Sequence, residues 1–205
     1  MTFVDPSTRF VDMSTKRIER TRAALLVMDF QAGVLERVGG KAPAVLAAAQ
    51  RSLEAARAAG MLVVHVVVGF RPGYPEVSPR NVAFATLRQS GRLIATTPGA
   101  DIAPELAPHK KKVMCIKHRV SAFAGSDLEL VLRAHAIETL VLAGISTSGV
   151  VLSTVRHAAD ADYALVVVRD ACADPDDEVH RVLLEKVLPR QALVLDASEV
   201  AAAIA

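Results

Sequence analysis

Two charged residues follow apolar segments of the chain, at positions where a carboxyl group and an amine could take part in proton transfer. Asp29 comes directly after residues 24–28, which are all apolar, and Lys117 ends a second short apolar segment. A carboxyl group at the edge of a core is desolvated, which raises its pKa, and general acids and bases near neutral pH require such a shift. Asp29 is equally compatible with a capping role, and the lysine cluster before Lys117 explains that residue more simply.

The segment from Gly144 to Gly149, followed by three apolar residues, indicates a junction between a strand and a helix. Its serine and threonine residues are typical helix caps. Backbone N–H groups at such a helix start attract anions and could form an oxyanion hole. A well-capped helix explains the same residues without a catalytic role, so both interpretations stay open.

The motifs of common cofactor and metal sites are missing from the sequence. The first apolar run is followed by Asp-Phe-Gln-Ala-Gly-Val instead of a Gly-x-Gly-x-x-Gly loop, and there is no Walker phosphate loop. The six histidines form neither a His-x-His nor a His-Glu-x-x-His arrangement. We therefore expect no metal and no cofactor.

Composition predicts one globular domain without affinity for polyanions. With 205 residues, 52% of them hydrophobic, the chain can bury a sizeable core. The formal net charge of +2 gives no reason to expect nucleic acid or a membrane as a partner. Residues 1–22 are polar and lack the apolar core of a signal peptide. We predict an N-terminal extension over 1–22, a domain over 23–205 and a cytoplasmic location, which the two widely spaced cysteines also favour.

Short apolar runs alternate with amphipathic, alanine-rich stretches along the chain. Such runs are typical of parallel strands buried on both faces, and their alternation with helices predicts a three-layer, doubly wound α/β fold of about six parallel strands. The predicted strands are 23–30, 62–68, 112–116, 139–143, 164–168 and 192–195. The predicted helices are 42–59, 127–135, 148–161, 176–188 and a short one near residue 198.

The connection 69–107 is rich in proline and glycine, with one possible helix at 81–88, and its length favours a lid or binding loop. Open α/β sheets bind ligands beyond the carboxyl ends of their strands. The residues that follow the strands, Asp29, Lys117 and the segment 144–149 among them, are therefore expected at one edge of the sheet.

Three segments taken together resemble the isochorismatase-like hydrolases. They read Ala-Leu-Leu-Val-Met-Asp-Phe-Gln at 24–31, Lys-His-Arg-Val-Ser-Ala-Phe at 117–123 and Leu-Ala-Gly-Ile-Ser-Thr-Ser-Gly at 142–149. The resemblance implies a Rossmann-type sheet with strand order 3-2-1-4-5-6, a homodimer or larger homo-oligomer, and a site of the family's Asp-Lys-Cys type. Asp29 and Lys117 match the first two catalytic residues, but Val150 stands where the cysteine is expected.

Valine has no nucleophile, so the resemblance implies a family member that acts without a thiol. Some isochorismatases resemble this chain in having an aliphatic residue at that position. In isochorismatase-type chemistry an aspartate protonates a vinyl ether, and water adds to the resulting oxocarbenium ion. We expect a cofactor-free hydrolase of a small, carboxylate-bearing molecule such as isochorismate or a similar enol ether. The alternatives are a catalytically silent small-molecule-binding protein and an amidase with a substitute nucleophile, for which Cys115 is one candidate.

Several further residues are predicted to bind the substrate. Arginine and tyrosine on the long connection suit a carboxylate, although arginine on a surface loop is more often simply solvated. The metal-binding histidine motif that accompanies nicotinamidase activity is missing after the second strand. The predicted substrate-binding residues are Phe30, Gln31, Arg71, Tyr74, Phe123, Ser148 and Gly149.

Overall fold

Six parallel strands form the centre of the protein, and the computed structural model describes residues 11–12, 17–108 and 113–204. The strands are β1 (Ala23–Met28), β2 (Leu62–Val68), β3 (Val113–Lys117), β4 (Thr139–Ile145), β5 (Ala164–Ala173) and β6 (Leu193–Leu195). Their order across the sheet is β3-β2-β1-β4-β5-β6. The predicted α/β class and strand order are confirmed. The predicted start of the third strand at residue 112, its preceding lysines and most of the predicted extension 1–22 lie outside the described residues.

Two helical layers cover the sheet because the strands are apolar on both faces. Leu25 and Val27 of β1 belong to one apolar core, and Leu26 and Met28 belong to another. Helices α2 and α7 pack into the first core, whereas α4 and α5 pack into the second. The α-helices of the described residues are α1 (Ala32–Leu35), α2 (Ala42–Ala58), α3 (Val82–Ser90), α4 (Leu128–Ala134), α5 (Leu152–Asp160), α6 (Asp177–Val182) and α7 (Ala197–Ala203).

Strand β5 is longer than its apolar pattern predicts. The apolar run stops at Val168, but the strand continues through Arg169 and Asp170 to Ala173. Its register against β4 shifts between Leu142 and Gly144. Both polar side chains reach acidic or basic partners outside the sheet, with Arg169 near Asp196 and Asp170 near Arg51. A strand can therefore continue where the hydrophobic signal ends.

The connection between β2 and β3 is held against the sheet by aromatic and backbone contacts. Phe70 is buried, and its ring lies 5.6 Å from the rings of both Tyr74 and Phe84. Phe70 also exchanges backbone hydrogen bonds with Leu93 and Ala95. The predicted helix at 81–88 is present as α3, and Asn81 is its N-terminal cap. These contacts fix the part of the connection that faces the carboxyl edge of the sheet.

Residues before β1 also contact the domain. Ile18 is fully buried and forms a parallel bridge with Ile204. The predicted division into an extension 1–22 and a domain 23–205 stays a prediction. In the part of the chain that the structure describes, no helix is both long enough and apolar enough to cross a bilayer.

Candidate active site

Asp29 ends the central strand of the sheet with an unusual backbone conformation. Its φ of 58° is in the left-handed region, which aspartate and asparagine tolerate better than most residues. Its N–H still donates to the carbonyl of Val66 on β2 at 2.8 Å. Strand β1 has β2 on one side and β4 on the other, so the strand order reverses at this point. Open α/β sheets bind ligands at the carboxyl ends of the strands where the order reverses, and Asp29 lies there.

Lys117 ends β3 and reaches across β2 to form an ion pair with Asp29. Its Nζ lies 2.8 Å from Asp29 Oδ2, and the two side chains are only 2% and 8% exposed, respectively. The same Nζ donates to the carbonyl of Arg119 at 3.0 Å. Two partners therefore fix the ammonium group. Asp29 Oδ1, in contrast, has no hydrogen-bond partner among the described residues.

Burial dominates the electrostatics of Asp29. Desolvation raises the pKa of its carboxyl group, while the attraction and hydrogen bond of Lys117 lower it by less. The pKa therefore lies above the ordinary value for aspartate. A carboxyl group in this state can hold a proton at a pH where exposed carboxyl groups are ionised, so it can act as a general acid.

A cavity of about 280 Å³ opens beside this pair. It is lined by Asp29 and Lys117 and by Ser148, Gly149 and Val150, so five of the predicted site residues share one cavity. Its remaining wall is mostly apolar and comes from β2, α1, α3 and the end of β4. Those further lining residues are Val34, Arg37, Val68, Ala83, Phe84, Leu87, Leu93, Val120, Ile145 and Ser146.

Val150 lies close to the end of β1 because the neighbouring strand carries a glycine. A Cβ atom on Gly144 would lie 3.0 Å from Met28 Cβ and 3.2 Å from Val150 Cγ1, which is tighter than ordinary contact. Val150 itself is 2% exposed. The absence of a side chain at residue 144 thus allows β1 and the turn that carries Val150 to approach each other.

Two of the candidate amides for an oxyanion hole already have acceptors within the protein. The N–H of Ser148 donates to Asp174 Oδ2 at 2.7 Å, and the N–H of Gly149 donates to the carbonyl of Ser146 at 3.1 Å. Thr147 is fully buried, with Oγ1 2.8 Å from His180 Nδ1. These contacts hold the turn between β4 and α5, so Ser148 and Gly149 line the cavity while their N–H groups stabilise the turn.

Gln31 has a structural position outside this cavity. Its amide donates to the carbonyls of Val68 and Ala100, and its Oε1 accepts from the N–H of Val68 at 2.9 Å. The side chain is 1% exposed. Gln31 therefore ties the carboxyl end of β2 to the long connection, and all of its strong hydrogen-bonding groups are used there.

Four other predicted substrate-binding residues are also placed away from the cavity. Phe30 is buried in the core, and Phe123 stacks on His157 with ring centroids 4.5 Å apart. Tyr74 donates its hydroxyl to the carbonyl of Arg92 at 2.7 Å. Arg71 is 73% exposed and pairs with Glu76. Sequence position put these residues near the correct strand ends, but it does not show which way each side chain turns.

Neither cysteine of the chain lines the cavity. Cys115 and Cys172 are both buried. Burial raises the pKa of each thiol to about 12, and the nearby Asp127 adds to the effect at Cys115. A thiol with such a pKa carries almost no nucleophilic thiolate near neutral pH. Cys115 therefore does not fit the role of a substitute nucleophile.

Arg37 is a cavity residue that no sequence motif indicates. It lies in the turn Glu36–Lys41 after α1, and its side chain is exposed at the cavity. Its place soon after the first strand was a usable signal, because that turn leaves the same edge of the sheet. Among the described residues no group of histidine, cysteine or acidic side chains could hold a metal ion, and the expected lack of metal and cofactor stays a prediction.

A buried acid beside an ammonium group, both facing a cavity at the carboxyl edge of a doubly wound sheet, is typical of an enzyme. Comparison with known proteins identifies the family of enzymes. A model of the isochorismatase domain matches residues 23–199. Two curated relatives are an uncharacterised isochorismatase family protein, YecD, of Escherichia coli O157:H7 and the ureidoacrylate amidohydrolase RutB of Stutzerimonas stutzeri. YecD is 34% identical over an alignment that covers 86% of this chain and 93% of YecD. RutB is 35% identical over an alignment that covers 75% of this chain and 71% of RutB.

The fold comparison agrees with the family match. A cysteine hydrolase from Pseudomonas syringae pv. phaseolicola superposes with a TM-score of 0.82 at 25% identity, over 91% of this chain and 93% of that one. The chain belongs to the isochorismatase family, and the protein is a hydrolase.

Proposed function

We propose that this hydrolase cleaves an enol ether of the isochorismate type, without cofactor and without a thiol nucleophile, by proton transfer from Asp29. The observation that carries the proposal is the buried Asp29–Lys117 pair beside a cavity whose wall contains Val150. The resemblance of the three motifs implies that Val150 takes the position of the catalytic cysteine of thiol-dependent family members. The buried positions and high pKa values of Cys115 and Cys172 support a mechanism without any thiolate.

In the proposed reaction Asp29 donates its proton to the terminal carbon of the enol ether. The carbon that bears the ether oxygen becomes an oxocarbenium ion, and a water molecule adds to it. The water gives up a proton to the Asp29 carboxylate, and the resulting hemiketal breaks its other C–O bond to release an alcohol and a ketone. One water is consumed, and Asp29 returns to its starting state.

Burial favours the protonated form of the acid, and Lys117 stabilises the ionised form. Before proton transfer, burial keeps the pKa of Asp29 raised despite the ammonium group 2.8 Å away. After transfer the carboxylate is ionic, and the same ammonium group stabilises it in a water-poor site. The apolar wall formed by Phe84, Leu87 and Leu93 limits competing water around the cation.

Amide hydrolysis is the second candidate, because the relative from Stutzerimonas stutzeri is named as an amidohydrolase. Without a thiol at the cavity, Asp29 would have to act as a base towards water or towards a hydroxyl of Ser146 or Ser148. The carboxylate form would then be the active one. The two reactions therefore need opposite protonation states of the same residue. A third candidate, a silent binding protein, would bind small molecules without converting them.

The test is a hydrolysis assay of purified protein with isochorismate and, separately, with ureidoacrylate. The wild type is compared with Asp29→Asn and with Asp160→Asn, whose carboxyl group is exposed on α5. We expect turnover of isochorismate that is lost in Asp29→Asn and retained in Asp160→Asn. Turnover of ureidoacrylate alone would replace the proposal with the amidase, and turnover of neither would contradict both substrates.

Two further expectations belong to this proposal. The reduced, buried cysteines suit a cytoplasmic enzyme, and family resemblance favours a homodimer or larger homo-oligomer. Size-exclusion chromatography with light scattering measures the oligomeric state directly. A monomeric mass at micromolar concentration would contradict the expected oligomer.

A further inference from the structure

We propose that Arg37 binds a carboxylate group of the substrate at the mouth of the cavity and thereby selects anionic substrates. This inference rests on the proposed function for the location of the reaction. Its own evidence is the distribution of charge around the cavity. Of the described residues that line it, three are charged, namely Asp29, Lys117 and Arg37.

The first two of these charges compensate each other. Lys117 and Asp29 form a contact ion pair, so together they contribute little net charge when the carboxyl group is ionised. When Asp29 is protonated, the ammonium group adds a second positive charge. The cavity is therefore positive in either state, and Arg37 supplies the charge that is not compensated by a cavity residue. A positive, mostly apolar cavity favours small organic anions.

Arg37 is also available for a ligand, because it lines the cavity and its guanidinium group is not held by a neighbouring side chain or carbonyl of the described residues. Its guanidinium group forms no hydrogen bond or ion pair with another described residue. Three other arginines of the surrounding segments already have partners. Arg71 pairs with Glu76, Arg92 binds Gly33 O and Glu36, and Arg119 donates to the carbonyls of His118 and Glu76. A guanidinium group can form two parallel hydrogen bonds with a carboxylate.

The burial pattern orients the substrate. Asp29 and Lys117 are buried at the sheet, whereas Arg37 is exposed, and the apolar side chains Phe84, Leu87 and Leu93 complete the wall. A carboxylate on Arg37 therefore places the apolar part of the molecule along the wall and its reacting group towards Asp29. The ligand class is a small carboxylate whose charged group and reacting group are at opposite ends.

Binding of benzoate and of its neutral analogue benzamide, measured by titration calorimetry at pH 7 and low salt, tests the inference without requiring turnover. We expect benzoate to bind the wild type about tenfold or more tightly than benzamide. Arg37→Gln is expected to weaken benzoate binding and reduce that preference to the part that Lys117 contributes, while leaving benzamide affinity within about twofold, and Arg37→Lys to keep more of it. Arg71→Gln is the matched control and should behave as the wild type does.

Equal affinity for the two probes in the wild type, including undetectable binding of both, would overturn the inference, as would unchanged benzoate affinity in Arg37→Gln. The kinetic assay separates this failure from failure of the proposed function. A preference for benzoate without isochorismate turnover leaves Arg37 as an anion-binding residue and removes the reaction. Turnover with an unchanged KM in Arg37→Gln keeps the reaction and removes the role of Arg37.

Discussion

The Nζ atom of Lys117 and the Oδ2 atom of Asp29 are 2.8 Å apart, although their strands are separated by β2, and both side chains are buried. The pair leaves one carboxylate oxygen, Oδ1, without a partner among the described residues. A buried acceptor without a donor is costly when ionised. The arrangement therefore contributes to a pKa of the Asp29 carboxyl group above its ordinary value.

Removal of the ammonium group should make the stability of the protein depend on pH. In Lys117→Met, Asp29 keeps its burial but loses its compensating charge, so its pKa rises further. A carboxyl group whose pKa is higher in the folded state than in the unfolded state binds its proton more tightly in the folded state. Its contribution to the stability of the fold is therefore present at low pH and is lost as pH rises through the folded pKa. We expect urea unfolding to show a deficit approaching about 3–5 kcal/mol at pH 8 and a smaller one at pH 5.

The control for that experiment is the double variant Asp29→Asn with Lys117→Met, in which neither charge remains. It should recover most of the stability at pH 8 and show the same stability difference from the wild type at both pH values. A deficit in Lys117→Met that does not change with pH would contradict the buried position of Asp29.

Introduction of a thiol at residue 150 should reveal whether this position is open to ligands. Cys115 and Cys172 are buried with pKa values of about 12, so the wild type should react slowly with iodoacetamide at pH 7. Val150→Cys places a thiol in the cavity that contains Lys117, whose positive charge favours the thiolate. Mass spectrometry should find one added label, at a faster rate than any labelling of the wild type. Labelling as slow as in the wild type would contradict access to this wall of the cavity.

Gly144 should be intolerant of a side chain. In Gly144→Ala the new Cβ meets Met28 at 3.0 Å and Val150 at 3.2 Å, in a region where strand and turn have little freedom to move. We expect a loss of about 1–3 kcal/mol in the free energy of unfolding. Gly40→Ala is the matched control, because a Cβ there has no atom within 4 Å. Equal stability of the two variants would show that the approach of β4 to β1 is looser than described.

Gln31 should affect stability more than substrate binding. Gln31→Leu removes the partners of the Val68 backbone groups in a buried position, and each unsatisfied group costs about 1–3 kcal/mol. We expect a lower unfolding midpoint in urea with a KM close to that of the wild type. Gln50→Leu, whose amide bonds only Glu54 at the surface of α2, is the control. An increased KM with unchanged stability would instead support contact of Gln31 with the substrate.

The fold was predictable because its strands are continuous apolar runs, and a strand buried on both faces requires this pattern. The pattern predicted β5 too short because burial is interrupted at Arg169 and Asp170 and resumes at residues 171–173. It also ended β4 at residue 143, although that strand reaches Ile145, and it extended β1 to residue 30, although that strand ends at Met28. Asp29 and Lys117 were predictable for a related reason. Both immediately follow apolar runs, so the fold itself brings them to the same edge.

The cavity wall was less predictable, because it depends on side-chain partners that are distant in sequence. Arg71 pairs with Glu76, and Gln31 donates to the carbonyl of Ala100, and neither partner is evident from the sequence. Arg37 carries no motif, and its role depends on its side chain having no hydrogen-bond or ion-pair partner among the described residues. Such pairings are set by tertiary packing, which a single sequence does not report.

The most direct test of the central claim is the pH dependence of kcat/KM for isochorismate, measured for the wild type and Asp29→Asn. Because Asp29 must be protonated to act as the acid and its pKa is raised, kcat/KM should hold at low pH and fall as pH rises through that pKa. Asp29→Asn should be slower by a factor of about 10² to 10⁴. A kcat/KM that instead rises with pH, or an Asp29→Asn variant as active as the wild type, would contradict acid catalysis by Asp29.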